Sequence, residues 1–146
     1  MSRYYFDSGV FITPIIKNRE QRVIDECIEW QTKIKEGQVE AFTSCLTWDE
    51  LVYVVQKRNG KELAGRIGER FLQLSNIGFI AADEDIIKGA QDLLGNSNVR
   101  PRDSIHAFTS LMHAEGNIVT LDVEKSDFRK FRNSDQTPIL NIIEIR

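Results

Sequence analysis

The feature that most constrains this chain is an alternation along its length. Short apolar runs without an in–out pattern are separated by longer stretches whose apolar residues recur every three or four positions. A strand exposed on one face alternates apolar and polar side chains; a strand covered on both faces reads as a continuous apolar run. Arg3-Tyr4-Tyr5-Phe6, Val39 to Thr43, Gly78-Phe79-Ile80-Ala81, Ile118 to Leu121 and Ile139 to Ile143 are runs of the second kind. Between them, Val23, Cys27, Trp30 and Ile34 form one face of a helix over 20–36 that Gly37 is placed to stop. Thr47 opens another, with Glu50 three residues on at capping-box spacing. Leu63, Ile67, Phe71 and Leu74 mark a third helix. Asp83 caps a fourth carrying Ile86, Ile87, Ala90 and Leu94, and Asp103 starts a fifth that holds Phe108, Leu111 and Met112. Strands alternating with helices predict an α/β fold, a central parallel sheet flanked by helices on both faces. With no repeat, low-complexity segment or linker, residues 1–146 read as one domain.

Composition removes several function classes. The net charge of -3 argues against coating nucleic acid by bulk attraction. It is compatible with an acidic site that gains positive charge from a bound metal. Cys27 and Cys45 lack the C-x₂-C spacing of a zinc site and read as reduced thiols in or near the core. No apolar run approaches the ~20 residues of a membrane span, and no secretory segment is evident, so a cytoplasmic location is expected.

In an open parallel sheet, ligands bind at the carboxyl ends of the strands, where helix amino termini also point. Asp7 follows the first strand and Asp122 follows the strand Ile118 to Leu121. Glu50 and Asp103 fall in the first turns of helices at the same end if the crossovers are right-handed. Unneutralised, four such carboxylates would raise one another's pKa; a hard divalent cation with oxygen ligands removes the conflict and suits phosphodiester hydrolysis. Each acid also has a plainer reading, as a helix cap or a partner of a helix dipole.

The stretches around these acids resemble the PIN-domain family, especially the VapC-type toxin ribonucleases of toxin–antitoxin pairs. They are Tyr4-Tyr5-Phe6-Asp7-Ser8, Thr47-Trp48-Asp49-Glu50-Leu51, Arg102-Asp103-Ser104-Ile105-His106-Ala107, and Ile118-Val119-Thr120-Leu121-Asp122 leading to Asp127-Phe128. The resemblance implies a PIN-like nuclease domain in which Asp7, Glu50 and Asp103 are the core metal-site acids, accompanied by the hydroxyls of Ser8 and Thr120. Asp122 is the implied fourth acid. Val123-Glu124-Lys125-Ser126 make a longer gap than in many relatives, so Asp127, and less so Glu124, stays open. The same resemblance implies an endoribonuclease using Mg²⁺ or Mn²⁺, an RNA substrate, an antitoxin protein as partner and a homodimer paired through helices. The helices around Trp30 and Phe71 offer large apolar residues for such pairing or, equally, for the core.

His106, three residues beyond Asp103, shares its helix face and reads as a packed or hydrogen-bonded residue rather than a nucleophile's base. His113 reads as a helix-end charge. Lys17, Arg19, Lys57, Arg58, Arg100 and Arg102 are candidates for the substrate path, Arg102 first because it adjoins Asp103. Two rival functions remain: a catalytically silent PIN-like module that binds RNA or protein, and an unrelated acidic-site protein such as a receiver or an aspartyl phosphatase. The phosphatase would need Asp-x-Asp where Asp7-Ser8-Gly9 stands, and no phosphate-cradling glycine loop is present.

Overall fold

The computed structural model describes residues 1–95, 98–121 and 127–146. The chain runs β1 (Arg3–Phe6), α1 (Gly9–Ile16), α2 (Gln21–Lys35), β2 (Glu40–Ser44), α3 (Cys45–Asn59), α4 (Lys61–Leu72), β3 (Ile77–Ile80), α5 (Glu84–Leu94), α6 (Pro101–His113), β4 (Asn117–Leu121), a 3₁₀ turn (Asp127–Lys130) and β5 (Asn141–Ile145). The five strands form one sheet in the order β3-β2-β1-β4-β5, and every pairing is parallel. The chain thus builds outward from β1 to one edge, then returns to place β4 on its other side. That reversal between β1 and β4 is where an open α/β sheet leaves a crevice at its carboxyl edge.

Both faces are covered, as the apolar runs predict. Phe6 and Val119 point into a core shared with Val10, Phe11, Cys27, Leu51, Val55 and Phe71. Their strand neighbours Tyr5 and Ile118 point the other way, onto Ala107, Phe128, Phe131 and Leu140. Tyr5, Phe6, Ile118 and Val119 are all fully buried. At ~1.5–3 kcal/mol for burying a large apolar side chain, this central pair of strands anchors both layers. Among the described residues no helix is long and apolar enough to cross a membrane.

Several local expectations are corrected. Ser44, not Thr47, caps α3, its hydroxyl accepting from Leu46 N–H at 3.0 Å. Thr47 lies inside the helix, buried, with its hydroxyl 2.8 Å from that of Thr43. Glu50 therefore sits in the second turn of α3, too far along to serve as a capping-box acid. Helix α1 has no helical signal in the sequence, since it carries Pro14 and a run of β-branched residues. Pro14 cannot donate to the Val10 carbonyl; Gln31 from α2 does so instead, at 2.9 Å. The last strand begins at Asn141 rather than Ile139. Phe71 is buried in the core and Trp30 is partly buried against it. Trp30 packs edge-on against Tyr4 and Phe6, and Phe71 against Phe11 and Phe79. Cys27 is buried and Cys45 is exposed. Asp83 caps α5 as expected, accepting from Ile86 N–H at 3.0 Å.

Candidate active site

The first acid follows from the end of β1. Asp7 N–H still donates to Val119 of β4 at 3.0 Å, so the sheet fixes its backbone. Its carboxylate accepts from Ser8 N–H at 2.9 Å and from the Thr120 hydroxyl at 2.8 Å. Ser8 occupies the cap position of α1 yet makes no side-chain cap bond. Its hydroxyl turns to Glu50 instead, donating to Oε2 at 3.3 Å. Glu50 is held from the other side by His106, whose Nε2 lies 2.6 Å from Oε1. Asp103 stands in the first turn of α6, which opens with Pro101 at a position where no amide donor is needed.

These residues line two neighbouring cavities. One, of ≈ 370 Å³, is bounded by Asp7, Ser8, Asp103, Thr120, Arg19 and Arg100 among others. The second, of ≈ 460 Å³, is bounded by Glu50, Arg100, Pro101, Arg102 and Asp103. Arg100 and Asp103 belong to both, so the three acids border two adjoining cavities at the carboxyl edge. Helix α1 supplies Gly9, Ile12, Thr13 and Ile16 to the wall of the first, a contribution that the sequence did not signal.

Charge in these cavities is partly balanced by the chain itself. Arg100 places Nη2 3.0 Å from Asp103 Oδ2 and Nε 3.5 Å from Asp127 Oδ2. Asp127 also accepts from the Arg100 backbone N–H at 2.8 Å and from Lys130 Nζ at 2.8 Å. Burial pushes the Asp103 carboxyl up to about 6, against the pull of Arg100 and with the help of the Asp7 charge. Burial acts upward on Glu50 as well, but the His106 hydrogen bond and charge and the Arg102 charge hold it below its ordinary value. Burial acts downward on His106, and the Glu50 hydrogen bond with the Asp7, Glu50 and Asp103 charges carries it above its ordinary value. Lys130 holds Asp127 low.

Asp7, Ser8, Glu50, Asp103 and Thr120 are thus brought together. Arg102, the first candidate for substrate, pairs with Asp49 at 3.0 Å on the half-exposed rim. Arg19 and Arg100 line the cleft. Lys57 and Arg58 fall in the last turn of α3, about 10 Å beyond Glu50 at 1.5 Å per residue. His113 ends α6 with its ring 6.0 Å from Phe42. Asp122 and Glu124 lie outside the described residues. Tyr5 was missed by sequence reasoning, because its link to His106 spans 101 positions.

The donor set fits a hard divalent cation. It is made of carboxylate and hydroxyl oxygens, with no thiol, and it includes the Asp103 carboxyl, which burial pushes up to about 6. Among the described residues no group of three or more His, Cys, Asp or Glu side chains is placed to hold a metal ion.

Comparison with known proteins agrees with this geometry. The family model described as "PIN domain" matches residues 4–132. Among solved structures, VapBC2 from Rickettsia felis bound to a promoter DNA fragment is similar, with a TM-score of 0.68 at 17% identity, over 99% of each chain. VapBC from Salmonella typhimurium bound to DNA gives 0.61 at 19% identity over 100% of each chain. Mycobacterium tuberculosis VapC20, described as a Sarcin-Ricin loop cleaving toxin, gives 0.61 at 12% identity over 80% of this chain and 85% of that one. At such identities these likenesses carry the fold alone. No curated protein matches.

Proposed function

Since the chain belongs to the PIN-domain family, we propose that it is a metal-dependent endoribonuclease, the toxin of a toxin–antitoxin pair acting in the cytoplasm. The observation that carries this reading is the convergence of Asp7, Glu50 and Asp103 on two adjoining cavities at the sheet's switch point, each carboxylate held by a hydroxyl, an imidazole or a guanidinium. Asp7, Glu50 and Asp103, with Asp122 as the fourth acid, would hold Mg²⁺ or Mn²⁺. Such an ion orients a phosphodiester, lowers the pKa of a water and stabilises the departing oxyanion.

The chain's own residues do the rest. The Thr120 hydroxyl and the Ser8 amide fix the two oxygens of Asp7, leaving their remaining lone pairs towards the cleft. The Ser8 hydroxyl ties Glu50 to the same corner. Arg19, Arg100 and Arg102 place cationic groups along the cavities and their rim, where an RNA backbone is attracted without a basic protein surface. The similar structures from Rickettsia felis and Salmonella typhimurium are of VapBC2 and VapBC bound to DNA, which supports an antitoxin partner for this chain. A homodimer is part of the same reading. Ile87 and Met112, 45% and 60% exposed, offer apolar contact on α5 and α6, and the mass in light scattering at micromolar concentration tests it.

The central test is cleavage of RNA by purified protein in Mg²⁺ or Mn²⁺ and again in excess chelator. Activity that disappears with chelator and returns with metal supports the reading. Binding of RNA without cleavage under every metal condition replaces it with a silent module, and cleavage undiminished in chelator removes the metal mechanism.

A further inference from the structure

Glu50 differs from Asp7 and Asp103 in how it reaches the site. The other two are short side chains fixed at a strand end and a helix start; Glu50 projects from the second turn of α3 on three rotatable bonds. Ordering such a side chain costs rotamer freedom. Ser8 holds one oxygen at 3.3 Å, a long contact. The shorter hold is that of His106 on Oε1 at 2.6 Å.

His106 is itself immobilised. It is 1% exposed, one turn beyond Asp103 on α6. Its Nδ1 is hydrogen-bonded to the hydroxyl of Tyr5, which is 0% exposed on β1. The Tyr5 oxygen also accepts the backbone N–H of Ser44 at 3.2 Å, the residue that caps α3. The polar roles are mutually consistent. An ionised carboxylate only accepts, so Nε2 carries a proton; in the neutral ring Nδ1 then accepts from the Tyr5 hydroxyl, whose oxygen takes the Ser44 amide. One chain of hydrogen bonds runs from the middle of the sheet, through α6, to an acid of the site on α3.

We propose that His106 is a positioning residue for Glu50: the Nε2–H fixes the carboxylate towards the cleft, and the Tyr5 hydroxyl fixes the ring that does so. The proposal rests on the metal-ribonuclease reading for its functional consequence, and on the metal-free geometry for the positioning itself. A buried histidine that only fills space would satisfy the same packing without setting the affinity of the site for a cation. Partners of metal ligands, by contrast, typically change metal affinity or activity 10–100-fold when removed.

Two measurements decide it. In the metal-free protein, nitrogen-15 NMR of the imidazole should show Nε2 protonated, and that proton resonance should move on Glu50→Ala and on Tyr5→Phe. A bare Nε2, or a resonance indifferent to both changes, overturns the proposal. Calorimetric titration with Mn²⁺ should then show His106→Leu weakening binding by about tenfold or more, and His106→Gln, which keeps an N–H near the same place, recovering most of it. Wild-type affinity in a folded His106→Leu overturns the positioning role, as does equal loss in both variants, which would indicate packing alone. If neither histidine variant folds, Tyr5→Phe decides: a few-fold loss of Mn²⁺ affinity supports the chain, and unchanged affinity overturns it. If the wild-type protein neither binds Mn²⁺ nor cuts RNA, the ribonuclease reading fails on its own, while the NMR response still reports whether His106 holds Glu50.

Discussion

The Arg100 guanidinium lies 3.0 Å from the Asp103 carboxylate, at the boundary of the two cavities that make up the cleft. In the metal-free protein a side chain of the fold thus supplies part of the positive charge that the acids demand. Its partner still has a raised pKa, so one mostly exposed guanidinium does not complete the task.

On the proposed metal-ribonuclease reading, that arrangement makes Arg100 a competitor of the cation. Arg100→Gln should bind Mn²⁺ more tightly, because a partly solvated like charge a few Å away is worth about 1 kcal/mol, or about fivefold in affinity. The same variant should be slightly less stable without metal. Titration calorimetry checks both the sign and the size; weaker binding would mean that Arg100 orders the acids rather than opposing the ion.

Asp103 gives stability a pH dependence whose sign is fixed by its shift. Its pKa is about 6 in the folded protein against 3.8 for a free aspartate side chain. The fold therefore favours the protonated form. That contribution is complete below about 4 and is lost as pH rises through about 6. Asp103→Asn imitates the protonated form at every pH. In chelator at pH 8 it should be more stable than wild type by about 1–2 kcal/mol, below the ~3 kcal/mol ceiling of a two-unit shift because the Arg100 pairing is also lost. Thermal melts at pH 5 and pH 8 test this: the advantage should shrink at the lower pH, and an equal advantage at both would assign the effect elsewhere.

Packing of α5 on α6 rests on a missing side chain. A Cβ on Gly89 would lie 2.1 Å from the Phe108 ring, and Phe108 stands on the helix that carries Asp103. Gly89→Ala should therefore lower stability by about 1–3 kcal/mol, despite the better helix propensity of alanine. A rise in melting temperature would show that Phe108 moves aside freely.

What the sequence made legible follows from how local each signal is. The strands are continuous apolar runs, so the parallel sheet and its two covered faces could be read directly. Asp7 and Asp103 are tied to a strand end and a helix start, both local marks. Helix α1 was not legible, because its Pro14 is accommodated by Gln31 of another helix. The cap of α3 was misplaced since Ser44 and Thr47 both precede the apolar run; Ser44 takes the cap, and Thr47 lies inside the helix with its hydroxyl 2.8 Å from that of Thr43. The hydrogen bond between Glu50 and His106 joins residues 56 positions apart and leaves no periodic trace.

The choice between Asp122 and Asp127 as the fourth acid turns on what Asp127 already does. Asp127 opens the 3₁₀ turn, accepts the Arg100 backbone N–H at 2.8 Å and pairs with Lys130 at 2.8 Å. Arg100 is the cap position of α6 and has no side-chain cap bond of its own, so Asp127 binds the very start of the helix that presents Asp103. An acid committed to a backbone donor and a lysine has less freedom to turn towards a cation. Leu121 ends β4 beside the switch point with β1, and Asp122 is the next residue in sequence. Asp127→Asn should cost about 1 kcal/mol of stability and reduce cleavage only through a shift of Asp103. Asp122→Asn should reduce it by on the order of a hundredfold, the scale expected when a reacting group is misplaced by about 1 Å. Single-turnover cleavage of both variants at saturating and at low Mg²⁺ separates them. If Asp127→Asn is the more damaged at both concentrations, Asp127 is the ligand, and its bonds to Arg100 and Lys130 must open when the ion enters.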